Sequence, residues 1–185
     1  MLKGGSRVAA FATGPIRGSG YEKVILVCVI ERDGIIEGIL SDFVRPGGSE
    51  AAKVIARMVN RSRLKEQIRL IVTNGIALAG LNLIDPEWVE KKTGKRLLMI
   101  TRKKPNARRM ANAIRSAYIA SEAKERLRII QDKRLVVRKA EGFFVCGLAD
   151  PADIGNEMTR KAVETLRAAH LIARGISTGE SKGRI

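Results

Sequence analysis

The sequence contains few aromatic residues, few cysteines and no long apolar segment. Aromatics make up 4% of its 185 positions, and it has two cysteines and one histidine. The longest apolar run, Val24 to Ile30, is far short of the roughly 20 residues that cross a bilayer. The core must therefore be built from Ile, Val, Leu and Ala. Extensive base stacking, as in many single-strand-binding proteins, is disfavoured by the lack of aromatics.

The cysteines and the amino terminus indicate a cytoplasmic protein with no membrane association. Cys28 and Cys146 lie in separate apolar runs without a partner at metal-ligand spacing, so we interpret them as buried thiols. A disulfide between them would require the fold to bring their strands together. The first ten residues include Lys3 and Arg7 and contain no apolar leader. We expect residues 1–185 to form one domain that needs no disulfide or metal to fold.

Positive charge is abundant and unevenly distributed. The formal net charge is +16. Residues 91–140 hold 17 Lys and Arg against three acids, Glu122, Glu125 and Asp132, so this segment carries 17 − 3 = +14. A balanced mixture of Lys and Glu would be typical of a solvated thermophile surface, but a one-sided excess indicates a polyanionic partner. We therefore expect nucleic acid to be the partner.

The hydrophobic pattern predicts an α/β domain. Arg7 to Phe11 is predicted as a first strand, and Val24–Glu31 and Ile35–Phe43 as a hairpin joined through Asp33-Gly34. Helical and strand periodicities then alternate along the chain. This order is typical of a mixed sheet flanked by helices.

Capping residues predict where the helices begin and end. Ser49 and Asp85 are predicted N-caps, the latter followed by Pro86. The last helix is predicted to break near Arg160 and to end at Gly175. A short strand is expected from Arg134 to Val137, shortly before that helix.

Three blocks of the sequence resemble a known family over nearly the full length. They are Ala12-Thr13-Gly14-Pro15, the segment from Asn74 to Asp85, and the segment from Leu166 to Gly175 with its continuation Gly179 to Arg184. The chain resembles an archaeal family related to endonuclease V, some of whose members are called endonuclease dU. That family reads Asp-Asp-Gly-Pro in the first block and close to DGITFAGFNVVD in the second.

The resemblance implies a ribonuclease-H-like fold in which acids at adjacent strand ends bind a divalent metal, usually Mg²⁺. The metal would activate water and stabilise charge on the phosphate. Here Ala12, Thr13 and Asn74 occupy the positions of those acids. Three carboxylates are therefore absent, and a hard cation such as Mg²⁺ depends on such ligands. We therefore expect no metal cofactor, and Mg²⁺ would be needed only if cleavage is retained. Restoring aspartates at these positions should restore metal binding.

Few other residues offer catalytic chemistry. Asp85 is first a helix N-cap. His170 shares a helical face with apolar residues, which is typical of a core histidine, although the resemblance places it near the active-site mouth. Asp33 is predicted in a turn, and Glu37 and Asp42 at solvent-facing positions of the third strand.

Three hypotheses of function follow. The favoured one is an endonuclease V/dU-like nucleic-acid-binding protein with a degenerate metal site, binding DNA in preference to RNA. The second is an active Mg²⁺-dependent endonuclease on deaminated DNA, using substitute ligands such as Asp85, His170 and Asp42. The third is a structural partner of an active paralogue or of a second copy. The basic loop Arg102-Lys103-Lys104-Pro105 also matches the family. The predicted contacts to nucleic acid are Arg102, Lys103, Lys104, Arg108, Arg109 and Arg115.

Overall fold

A computed structural model describes residues 5–18 and 23–181, and a seven-stranded mixed sheet forms its centre. The strand order is β3-β2-β1-β4-β7-β9-β8. β1, β4 and β7 run parallel to one another, and the remaining strands pair antiparallel with their neighbours. The bounds are β1 Arg7–Thr13, β2 Val24–Arg32, β3 Ile35–Val44, β4 Ile68–Thr73, β7 Arg96–Thr101, β8 Val136–Ala140 and β9 Phe143–Gly147, with a separate two-stranded ribbon of β5 Ala77–Leu78 and β6 Asn82–Leu83.

Helices cover both faces of this sheet. The long helix α5, Gly155–Thr178, packs on one face against β1 and β2. The opposite face is covered by α1, Ala51–Arg61, and α2, Pro86–Thr93. A smaller cluster forms where α3, Ala107–Ala117, and α4, Ala120–Ile130, pack around Leu83 of the ribbon. The predicted α/β class, with a mixed sheet flanked by helices, is confirmed.

Local sequence explains several turns. Asp33 and Gly34 both have positive φ, 51° and 86°, as the two-residue turn predicted between β2 and β3 requires. Asp85 caps α2 by accepting a hydrogen bond from the Trp88 backbone N–H at 3.1 Å. Gly94 ends that helix in the left-handed conformation, which costs glycine little.

Several predicted boundaries were wrong. Glu50 stands at the N-cap position of α1, not Ser49, and the Ala51 N–H donates instead to the distant Asn82 side chain. α5 is continuous through Arg160 and Gly175 and ends at Gly179. A glycine within a helix costs only about 1 kcal/mol, and Gly179 supplies the left-handed residue at which α5 ends.

Two further local features differ from the prediction or were left open by it. β8 begins at Val136 rather than Arg134, because the Asp132 carboxylate accepts from the Arg134 N–H and holds a turn there. Cys28 and Cys146 are free and buried, on β2 and β9, with β1, β4 and β7 between them. Among the described residues, no helix is long and apolar enough to cross a membrane.

Candidate nucleic-acid interface

The carboxyl ends of β1 and β4 lie next to each other. In their parallel register Phe11 is paired with Thr73. Ala12 and Asn74 are each the next residue along their strands. The structure thus brings the first and second family blocks to one edge of the sheet, as expected of parallel strands that share an edge.

Ala12, Thr13 and Asn74 are not equivalent within this edge. Ala12 is 2% exposed and packs in the cluster beneath α5. Successive strand residues point to opposite faces, so Thr13 is directed away from that cluster. Asn74 is exposed and borders a small cavity that Leu166 of α5 also lines. Ala12 therefore lies on the α5 side and Thr13 on the opposite side, whereas Asn74 borders both this cavity and a larger cleft on the α1 side.

His170 lies on the same helix, one turn beyond Leu166. It is partly buried, and desolvation together with the charge of Arg174 lowers its pKa below the ordinary value of 6.5. That this imidazole lies near an active-site mouth, as the family resemblance implied, stays a prediction. It supplies neither a negative ligand nor a positive charge at neutral pH.

This edge does not fit a Mg²⁺ ion of the kind that the resemblance implies. The side chains of Ala12, Thr13 and Asn74 offer a methyl group, a hydroxyl and an amide, and none of them carries a negative charge. No three His, Cys, Asp or Glu side chains in residues 5–18 and 23–181 lie together as a set of metal ligands. Mg²⁺ gives up its water reluctantly and relies on carboxylates to do so. These residues therefore support no metal-dependent chemical step at this edge.

The surviving acids are held by structural partners. Asp85 accepts from Arg128 at 2.6 Å and from its own helix. Asp42 accepts from Arg57 at 2.6 Å on the α1 side of the sheet. Since His170 lies on α5, the structure does not bring Asp85, Asp42 and His170 together as substitute ligands.

Two other acids that the sequence placed in exposed positions are also paired. Asp33 contacts Lys161 at 3.1 Å. Glu37, predicted to face solvent, is 17% exposed and forms ion pairs with Arg7 and Arg32. These contacts fix β1, β2, β3 and α5 relative to one another.

A cleft of about 420 Å³ opens beside Asn74. Its volume lies within the range of small-molecule and nucleotide pockets. The β4 end, the amino-terminal turn of α3, the last turn of α4 and the β8–β9 pair all contribute to its wall. Its apolar lining comes from Ile76, Met99, Met110, Leu135, Val137 and Cys146, and its polar groups from Asn74, Thr101, Asn106, Gln131 and Asp132.

A basic rim borders this cleft. We use that name for Arg102, Lys103, Lys104, Arg108, Arg109 and Arg115, all of which are exposed. The loop that carries the first three continues directly into Pro105, Asn106 and Ala107 of the cleft wall. Asn106 caps α3 by accepting from the Arg109 N–H at 2.8 Å, which fixes the start of the helix.

The rim residues lack acidic partners, whereas the other arginines of the basic segment have them. Those five arginines of residues 91–140 form ion pairs, namely Arg96, Arg126, Arg128, Arg134 and Arg138. In the part of the chain that the structure describes, no acid lies within ion-pair distance of any rim residue, and the same holds for the six lysines of the segment outside the rim. The rim is distinguished by its loop, Arg102 to Lys104, which leads into the cleft wall, whereas Arg115 at the far end of α3 lines a separate groove against α4.

The sequence alone did not reveal the cleft. Gln131, Asp132, Leu135 and Cys146 reach it from parts of the chain far from Asn74. Their only sequence signal was the turn after α4, where Asp132 precedes a strand. Long-range packing of α3, α4 and the β5–β6 ribbon decides that they meet.

Comparison with known proteins places the chain in one family. The family model described as Endonuclease dU matches residues 4–177. A UPF0215 protein of Methanothermobacter thermautotrophicus is 31% identical over 192 residues, covering 99% of this chain and 93% of that protein. A protein of unknown function from Archaeoglobus fulgidus has a solved structure with a TM-score of 0.78 at 25% identity, covering 92% of this chain and 97% of that one.

A more distant likeness is to Ciona intestinalis Endonuclease V, solved in complex with DNA containing an inosine. Its TM-score is 0.48 at 9% identity, covering 87% of this chain and 77% of that one. Because the family model spans nearly all of the sequence, the chain belongs to the Endonuclease dU family.

Proposed function

We propose that this protein binds nucleic acid at the cleft beside Asn74 and does not cut it by metal-dependent hydrolysis. The observation that carries the proposal is the basic rim, whose loop from Arg102 to Lys104 runs directly into the wall of a cleft that also includes a neutral Asn74. The rim would hold phosphates, and the cleft would hold a nucleotide. DNA is the expected partner in preference to RNA.

Electrostatics favours this arrangement over a purely solvated surface. Releasing counterions from a phosphate backbone supplies most of the non-specific binding free energy. Arginines already paired with acids release fewer counterions from the phosphate backbone, since binding must first break those ion pairs. Each unpaired rim residue therefore contributes more binding free energy than each paired arginine.

The shape of the cleft suits an unstacked base better than a duplex backbone. It has an apolar lining with a few amide and hydroxyl groups, the arrangement that reads base edges while burying the ring. Extruding a base costs a few kcal/mol, and rim contacts to the flanking phosphates would offset that cost.

The binding test measures the affinity for labelled duplex and single-stranded DNA over a salt series by fluorescence anisotropy. If about six rim cations meet phosphates on a duplex, log affinity falls against log salt with a slope of about −5. The variant Arg102→Gln/Lys103→Gln/Lys104→Gln should reduce that slope by about 3. A competing RNA duplex in the same assay tests the preference for DNA.

A matched control lies at the other end of the same strand. Lys91, Lys92 and Lys95 precede β7, whereas Arg102 to Lys104 follow it. Lys91→Gln/Lys92→Gln/Lys95→Gln removes the same charge far from the cleft. Equal losses in the two triple variants, or binding that ignores salt, would reject the cleft as the binding site.

Family membership favours a second candidate, an active endonuclease on DNA with deaminated bases. Incubation with uracil- or hypoxanthine-containing DNA and Mg²⁺ or Mn²⁺ distinguishes the two. We expect binding without cleavage. Chelator-sensitive cleavage by purified protein would overturn the non-catalytic half of the proposal and leave the binding half intact.

A further inference from the structure

A groove between α3 and α4 meets the cleft at Gln131. The groove has a volume of about 450 Å³, and α4 contributes most of its lining through residues three or four positions apart, which share one face of a helix. Gln131 belongs to the wall of the groove and also to the wall of the cleft beside Asn74. A chain bound in the cleft can therefore continue into the groove. The lining residues are Arg115, Ala120, Ala123, Lys124, Leu127, Arg128 and Gln131.

The part of the sequence that forms α3 contains no acid. Residues 91–121 hold ten Lys and Arg and no Asp or Glu. Arg108 and Arg115 are seven positions apart on α3 and both exposed, so they lie on one face of the helix about 10 Å apart. Positive charge thus extends from the cleft rim along α3 to the groove.

Unpaired cations stand on both walls of the groove. Arg115 on α3 donates only to the neutral Asn112 amide oxygen, at 3.4 Å. Lys124 on α4, like Arg115, has no acid of the described residues within ion-pair distance. Arg128 is already paired with Asp85 and Glu125. Arg115 and Lys124 therefore supply the uncompensated charge.

The floor of the groove is apolar and made of small side chains. Ala120, Ala123 and Leu127 lie between the two cations, and no aromatic ring is among the described residues of the lining. Such a surface offers contact to sugars and bases without stacking them, while the walls attract a repeating negative charge. A nucleic-acid strand has both properties, and the connection at Gln131 joins this surface to a cleft that suits a nucleotide.

We propose that the groove between α3 and α4 holds the phosphate backbone of the strand whose nucleotide occupies the cleft, with Arg115 and Lys124 on its phosphates. This inference rests on the proposed function and extends the contact beyond the cleft. From Lys124 to Gln131 the helix rises about 10 Å, the rise of about three nucleotides in a stacked strand. Only a strand that continues for several nucleotides past the cleft reaches both cations.

Fluorescence anisotropy with labelled single-stranded DNA of about 5 and about 15 nucleotides, which spans the usual size of single-strand sites, provides the test. Arg115→Gln/Lys124→Gln should reduce the slope of log affinity against log salt by about 1.4 for the longer strand, because each single-strand contact contributes about 0.7. The shorter strand, which occupies the cleft and the loop from Arg102 to Lys104, should lose little affinity.

The control variant is Lys91→Gln/Lys95→Gln. It removes two other unpaired cations, which precede β7 at the end away from the cleft, and it should change neither slope. If the groove variant binds the longer strand with the wild-type slope while Arg102→Gln/Lys103→Gln/Lys104→Gln still weakens binding, the groove is wrong and the cleft stands. If the wild type binds neither strand, the proposed function and this inference both fail.

An acidic peptide is the other occupant that the charge would attract. Labelled polyglutamate should bind the wild type weakly and should be insensitive to Arg115→Gln/Lys124→Gln. Tight binding of polyglutamate that this variant abolishes, without an effect on the longer DNA strand, would assign the groove to a peptide and overturn the proposal.

A photoreactive label then locates the strand. Cys28 and Cys146 are buried and Ala120 is exposed, so Ala120→Cys introduces an accessible thiol in the groove that can carry a benzophenone. Irradiation should link this position to the longer strand, and the same label on Lys91→Cys should not be linked. No product from Ala120→Cys, or an equal yield from Lys91→Cys, would reject a path through the groove.

Discussion

Phe11 and Thr73 are paired across the parallel strands β1 and β4, and this pairing places Ala12 and Asn74 at one edge of the sheet. If this edge retains the geometry of a metal site, restoring its charge should restore affinity. We predict that Ala12→Asp/Asn74→Asp gains binding of Mn²⁺ or Mg²⁺ because residue 12 stands level with residue 74 in this parallel register. Isothermal titration calorimetry measures the gain, and metal should raise Tm.

The control for this variant is Thr13→Asp/Asn74→Asp. It adds the same two carboxylates, but strand alternation directs residue 13 to the opposite face. We expect it to bind metal more weakly than the first pair. Equal affinity in the two variants would show that the alternation does not separate the positions. No binding by either would show that this edge does not retain the geometry of a metal site.

The sequence predicted those parts of the fold that depend on local chemistry. Asp33-Gly34 and the Asp85-Pro86 cap were correct because turn and cap residues act over a few positions. Ser49 was wrong because a tertiary contact overrode local preference, since Asn82 accepts from the first N–H of α1. Gly175 was wrong because a second glycine, Gly179, supplies the left-handed residue that ends α5.

The candidate site was only partly accessible from sequence. Family blocks identified Ala12 and Asn74, and composition identified the basic segment. Which cations remain unpaired could not be predicted, because Arg128 and Arg134 find acids more than 40 positions away, at Asp85 and Glu87. The cleft likewise depends on distant elements that share no local pattern.

Arg126 connects α4 to the loop between β3 and α1. Its guanidinium donates to the carbonyls of Gly47 and Gly48 at 3.0 Å and lies 3.8 Å from the centre of the Tyr118 ring. Arg126→Met leaves the Gly48 carbonyl without this donor and removes the cation–π contact. We predict a loss of roughly 2–3 kcal/mol in the free energy of unfolding, measured by urea denaturation.

Arg128→Met serves as the comparison for Arg126→Met. Arg128 is on the same helix and pairs with Asp85 and Glu125, but its side chain is 51% exposed. Exposed ion pairs contribute about 1 kcal/mol or less. If Arg128→Met cost as much as Arg126→Met, burial of the Arg126 contacts would not be the cause of the difference.

His170 is the sole histidine of the chain, so its NMR titration can be followed without assignment. Desolvation is the first cause of its lowered pKa, and the positive charge of Arg174 is the second. Arg174→Gln should therefore raise the pKa part of the way toward 6.5. Arg160→Gln, on the same helix more than two turns away, should not change it.

The lowered pKa of His170 also decides how the stability of the fold changes with pH. A histidine whose pKa is lowered by folding binds its proton more readily in the unfolded chain. Its contribution to stability is full above about pH 6.5 and is lost as the pH falls through that value toward the folded pKa. A measured pKa above 6.5 would contradict both the burial and the effect of Arg174.

Asp150 offers a test on the acid side. Arg138 on β8 donates to its carboxylate at 2.6 Å and lowers the pKa of Asp150 to about 2. A carboxyl with a lowered pKa stabilises the fold above its unfolded value of about 3.9, and that contribution is lost as the pH falls toward 2. Arg138→Gln should raise the pKa of Asp150 toward its ordinary value in a carboxyl NMR titration. Lys139→Gln serves as the control, because it removes the same charge from the neighbouring residue of β8 and leaves the hydrogen bond from Arg138 in place. A similar rise of the Asp150 pKa in that variant would mean that the overall positive charge, and not the direct contact, sets the pKa.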